Sequence, residues 1–145
     1  MKKMMMVTLM TLICGSIANA GSSVTTLACS SESGRTVISG ILPGQGEMAV
    51  ALNFSVASDM IMFSNSDDYV PTTAEVDLNA KNQTVRIEVK NKLTQLKLVS
   101  SSAKLTSSSN GTKGSFVGQV TGTHPSNWEP IAAPIVVRCF VSDEI

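Results

Sequence analysis

The sequence carries few of the residues that do chemistry: one histidine, one tryptophan, one tyrosine and three cysteines among 145 residues. With one histidine, and with two of the cysteines expected to be bonded to each other, the three or four Cys, His or carboxylate ligands of a zinc site are not expected to assemble. Charged residues are only 15%, and eleven Lys+Arg balance eleven Asp+Glu. The chain therefore lacks the basic excess that draws a protein to nucleic acid or to an anionic membrane surface. No Gly-x-x-x-x-Gly-Lys-[Ser/Thr] loop, Gly-x-Gly-x-x-Gly loop or Gly-x-Ser-x-Gly elbow occurs. His124 precedes Pro125 in a polar stretch and reads as a solvated loop histidine, not a general base. The expectation is no catalytic residue, no metal and no cofactor.

Long apolar runs are also missing. The most apolar stretch, residues 4–13, is interrupted by Thr8 and Thr11 and falls short of the roughly 20 residues a spanning helix needs. It follows Lys2 and Lys3 and ends in Ala18-Asn19-Ala20, the order of a secretory signal with its small-residue cleavage site. The residues before Cys14, Thr11-Leu12-Ile13, fit a lipid-attachment box poorly. Residues 1–20 are therefore expected to be a cleaved signal peptide of bacterial type. Residues 21–145 would form one exported domain, periplasmic or secreted, with no membrane insertion.

Cleavage removes two lysines, leaving nine basic against eleven acidic residues, a net charge of −2. It also removes Cys14, so Cys29 and Cys139 remain near the two ends. An even pair in an exported chain reads as a disulfide. Such a bond makes the first and last strands neighbours, either paired in one sheet or facing across the core.

What the sequence does have is alternation. Met48, Val50, Leu52, Phe54 and Val56 share one parity, and so do Val85, Ile87 and Val89, with Thr84, Arg86, Glu88 and Lys90 between. Leu96 and Leu98 repeat the pattern against Gln95 and Lys97. A period of two marks half-buried strands with one face on a core. Pro43-Gly44-Gln45-Gly46, Asn79 to Asn82, Asn91-Lys92 and the hairpin dipeptide Asn110-Gly111 punctuate the runs. Strands are predicted over 24–29, 35–41, 47–56, 60–63, 73–78, 83–89, 93–100, 103–106, 115–121 and 135–141. This pattern predicts a single all-β domain, an antiparallel barrel or sandwich with its terminal strands linked by the disulfide. The predicted core comprises Met48 or Val50, Leu52, Phe54, Val85, Ile87, Val89, Leu96 and Leu98.

Recognition is expected in the two longer loops, 64–72 and 122–134, because strand faces are committed to core or solvent. The first carries Ser64, Ser66, Asp67, Asp68 and Tyr69, and the second His124, Trp128 and Glu129. Ser64 to Asp68 lacks the residue order of a calcium loop and reads as a solvated acidic turn. Trp128 reads more readily as a buried lid on one end of the core than as an exposed anchor, since Ile131 and the prolines suit a packed cap. Three glycosylation sequons, at Asn53, Asn82 and Asn110, carry little weight beside a bacterial signal.

Ser64-Asn65-Ser66-Asp67-Asp68-Tyr69 resembles the cleft-entering loop of periplasmic inhibitors of c-type lysozyme, small exported β-barrels with a disulfide, in having two serines followed by a tyrosine. It lacks the glycine of that loop and has Asp68 where those proteins carry a cation, so the likeness is one of analogy and not of membership. The resemblance implies that this chain is inhibitor-like, with a lysozyme as its protein partner.

The leading expectation is a non-enzymatic exported β-domain that binds a macromolecular partner or serves the cell envelope. The candidate binding residues are Ser64, Ser66, Asp67, Asp68, Tyr69 and Trp128. The alternative is a small β-barrel carrying an apolar ligand. An enzyme built on Asp67 and Asp68 fits less well, because adjacent carboxylates cannot flank a scissile glycosidic bond.

Overall fold

The structure, a computed structural model, describes residues 24–43, 49–66, 72–109 and 111–144. Within them lie ten strands and no helix: β1 (Val24–Ser30), β2 (Thr36–Leu42), β3 (Ala51–Val56), β4 (Asp59–Ser64), β5 (Thr73–Asn79), β6 (Thr84–Lys90), β7 (Gln95–Ser100), β8 (Lys104–Ser108), β9 (Gly111–Gly122) and β10 (Ile135–Glu144). They form one antiparallel sheet in the order β4-β3-β2-β1-β10-β9-β7-β6-β5, with β8 branching off β9. The sheet curls into a half-barrel, not two stacked sheets. Nine antiparallel strands lie along this path, so its two ends, β4 and β5, run in the same direction.

Predicted and observed strands agree in number and order. The largest differences are at β3, which begins at Ala51, and at the β8–β9 hairpin. Met48 lies outside the described residues, and Val50 is buried just before β3. In the hairpin, Ser108 pairs with Gly111, so the strands run further into the predicted turn than the Asn110-Gly111 dipeptide suggests. The glycines of β9 do not end it. An added Cβ at Gly114, whose φ is +151°, would run into the Lys104 carbonyl of β8, so glycine there admits the close approach of two strands.

Inward residues align into rows that cross the sheet. One runs Ile61–Phe54–Ile38–Cys29–Cys139–Phe116 through successive partners on β4, β3, β2, β1, β10 and β9. All six are buried. A second runs Val120–Leu98–Ile87–Val76 across β9, β7, β6 and β5. Its last member is only half-buried, because β5 ends the sheet. Leu52, Phe54, Val85, Ile87, Val89, Leu96 and Leu98 are all in the core, as their parity requires.

Cys29 and Cys139 are bonded, and they are direct partners in the β1–β10 ladder with Cα atoms 4.0 Å apart. That is the close spacing of partners within one sheet, shorter than the 5.5–6 Å typical of disulfides in general. The terminal strands are thus neighbours in the sheet and do not face each other across the core. β8 is held in place by Gln83, whose side-chain amide donates to the Leu105 carbonyl (3.0 Å) and accepts from the Leu105 N–H (2.6 Å).

Candidate functional site

The connection from β9 to β10 is built as a closed, fixed loop. Thr123 bridges to Pro130, its N–H donates to the Gln95 carbonyl (2.7 Å), and the Gln95 N–H donates back to Thr123 Oγ1 (2.9 Å). Ile131 N–H donates to the Gly122 carbonyl (2.7 Å), and the Ile131 side chain packs against the core. Inside this frame, His124 N–H donates to the Glu129 carbonyl (2.7 Å) and Trp128 N–H to the His124 carbonyl (3.0 Å). His124 Nδ1 accepts from the Ser126 N–H at 3.2 Å and lies 2.7 Å from its hydroxyl. That histidine contact spans two residues and shapes the loop.

Trp128 stands at the apex with a φ of +62° and is 60% exposed. The expectation that it caps the core is corrected: Ile131 takes the inward position, and the left-handed backbone at residue 128 leaves the indole largely in solvent. A non-glycine residue in that region costs about 1–3 kcal/mol, and such residues cluster where a side chain is positioned for use.

Trp128 borders a cleft of about 270 Å³. Its lining includes Met60, Met62 and Ser64 of β4 together with Leu93, Thr94 and Trp128. Asn91 shapes the β6–β7 turn, its Oδ1 accepting from the N–H groups of Leu93 (3.0 Å) and Thr94 (2.8 Å) and leaving Leu93 exposed. Ser64 and Ser66 face each other with their hydroxyl oxygens 2.9 Å apart. The curl of the sheet thus brings Ser64 and Trp128, from the two predicted loops, to one cleft, with Ser66 beside it. Asp67, Asp68 and Tyr69 lie outside the described residues.

Met60, Met62 and Leu93 were not among the expected site residues. Their signal was present: Met60-Ile61-Met62-Phe63 is apolar at every position, so one parity must face outward, and Leu93 follows a turn pair where polar residues are usual.

Among the described residues no group of three His, Cys, Asp or Glu side chains is placed to hold a metal ion. Glu88 is the acid with a clear local perturbation. The hydrogen bond from the Arg86 guanidinium (3.2 Å) holds its carboxyl below the ordinary range, against a smaller opposing effect of desolvation. A general acid needs the opposite shift; Glu88 belongs to a surface ion-pair cluster with Arg86 and Glu75. No family model, no curated protein and no solved structure matches the chain.

Proposed function

We propose that this chain is an exported, non-enzymatic β-domain that binds a protein partner through the Trp128 cleft. The observation behind this reading is a tryptophan 60% exposed, with a left-handed backbone, on a hydrogen-bonded loop, lining one cleft with two exposed methionines. Large aromatic and methionine side chains are the types enriched at interface centres. Stability alone gives no reason to expose them together. The inward face of the sheet is filled by side chains such as Phe54 and Phe63, both 0% exposed, which is why a binding surface is preferred here over a carried apolar ligand. Asp67 and Asp68, which follow Ser66 in the sequence, favour a basic partner, lysozyme among the candidates.

The test is binding of the purified protein to envelope extract and to lysozymes, with identification and titration of whatever is retained. Trp128→Gly is expected to weaken the complex by about 2 kcal/mol or more, the loss typical of an interface hot spot. It should leave the thermal midpoint unchanged or higher, because glycine relieves the left-handed backbone. His124→Ala is expected to leave affinity unchanged. A fall in stability of several kcal/mol on losing the indole would place it in the core and end the reading, as would an activity abolished by His124→Ala alone.

Export is proposed on Lys2-Lys3, the short apolar run and Ala18-Asn19-Ala20, and the buried disulfide accords with an oxidising compartment. Intact mass of the protein from its native cells is expected to match a chain beginning at Gly21. A species retaining Met1, or carrying lipid on Cys14, would refute it.

A further inference from the structure

Sulfur is the least expected element of the Trp128 cleft. Met60 and Met62 lie two residues apart on β4, share its outward side, and are 57% and 61% exposed. Their cross-strand partners on β3 are polar, Ser55 for Met60 and Asn53 for Met62. β4 also ends the path of the sheet. The two methionines therefore do not continue an apolar patch of the neighbouring strand. What they share is the cleft, which both line together with Trp128. The scarcity of His, Cys and carboxylate that argues against zinc has no bearing on thioethers, which select a different class of metal.

We propose that Met60 and Met62 bind one Cu(I) ion in this cleft, with the indole of Trp128 as the third group of the site. Thioether sulfur is a neutral, soft donor suited to Cu(I), whereas calcium and magnesium seek oxygen. Zinc takes thiolate, imidazole and carboxylate, and none of these is among the described residues lining the cleft. Residues i and i+2 of a strand have Cα atoms about 6.7 Å apart, and methionine has three rotatable bonds, so both sulfurs can reach one ion. An indole attracts a cation placed over its ring, more strongly where water is displaced. Trp128 is held at the cleft by the hydrogen bonds that close its loop. His124 of the same loop does not line the cleft, and its Nδ1 accepts from Ser126. Cys29 and Cys139 are consumed by their disulfide, which leaves thioethers as the soft donors that disulfide formation cannot remove. The site shares the cleft of the protein-binding reading but does not rest on it.

Trp128 is the sole tryptophan of the chain, so its fluorescence reports on the site directly. The test is anaerobic titration of the purified, disulfide-bonded protein, any other thiol alkylated, with Cu(I) against a chromophoric Cu(I) chelator. Ag(I) in chloride-free buffer serves as the redox-inert probe. One equivalent of either ion is expected to bind and to quench or shift the indole emission, while Zn(II) and Ca(II) leave it unchanged. Met60→Leu and Met62→Leu should each weaken binding about tenfold or more, at least the loss seen when a metal's outer-shell partner is removed. The double variant should bind neither ion, and His124→Ala should bind like the parent. Leucine matches methionine closely in volume, so the double variant keeps its fold and an apolar cleft and should retain any protein the parent binds. Loss of metal and loss of partner are thus read apart. Absence of Cu(I) binding overturns the proposal, as does a Zn(II) response equal to that of Cu(I), an affinity untouched by the leucine pair, or saturation without change in the indole emission.

Discussion

Phe54→Ala is expected to lower the free energy of unfolding by about 3–5 kcal/mol, the range for deleting a buried phenyl group. The side chain is 0% exposed and sits between Ile38 and Ile61 in the row that also holds the disulfide. Its neighbours are fixed by ladders on both sides, β2 and β4, so the sheet has little freedom to collapse into the vacated volume. A domain of this size is typically stable by about 5–15 kcal/mol, so the variant loses a large share of the total. Urea unfolding should show a lower midpoint with an unchanged slope, since the area exposed on unfolding hardly alters. A loss under about 1 kcal/mol would mean that β3 is slipped by one residue, because such a slip inverts every side chain of the strand.

That sensitivity to parity is why the fold was legible from sequence. Leu52 and Phe54, or Val85, Ile87 and Val89, can occupy a core only if their strand presents one face, and alternation states which. Punctuation was less reliable. Asn110-Gly111 marked the hairpin and the next strand was expected from residue 115, yet β9 begins at Gly111 and runs through Gly114, because a glycine without a Cβ also serves where another strand's carbonyl comes close, as that of Lys104 does to Gly114. The apolar run Met60-Ile61-Met62-Phe63 fixed a strand but not its inner side; pairing with Phe54 and Leu52 decides that Ile61 and Phe63 point inward.

The candidate site was harder to read, and for a different reason. Ser64 and Trp128 lie far apart in sequence and meet only because the sheet curls until β4 approaches the β6–β7 and β9–β10 connections. No local pattern reports that approach. The orientation of Trp128 depends on one backbone dihedral, which in turn depends on hydrogen bonds from His124, Trp128 and Ile131 that close the loop. Composition favoured a buried indole because Ile131 and three prolines resemble a lid; the lid exists, and Ile131 forms it.

Replacing Cys29 and Cys139 together by alanine is expected to have the other large effect. The bonded residues are 110 apart in sequence, and the chain-entropy treatment gives about 4.7 kcal/mol for closing a loop of that scale. The loss has two sources, of which that figure is the first. The untethered unfolded chain gains conformational freedom, and the alanines leave unfilled volume in the row between Ile38 and Phe116. The thermal midpoint should fall by about 15 °C, from the few degrees per kcal/mol usual at this size. The two sources separate experimentally. A cavity weakens only the folded state and leaves the denaturant slope alone, whereas releasing the crosslink expands the unfolded chain and steepens the slope. A steeper slope with a lower midpoint is therefore the expected signature, and a reduced but unmutated protein should show the slope change with little of the cavity loss. Cys29 and Cys139 are 4% and 1% exposed, so a thiol reductant reaches the bond only when β1 and β10 part. Reduction under native conditions should then be no faster than the opening of that strand pair, and rapid reduction without unfolding would show that β1 detaches from β10 independently of the rest of the sheet.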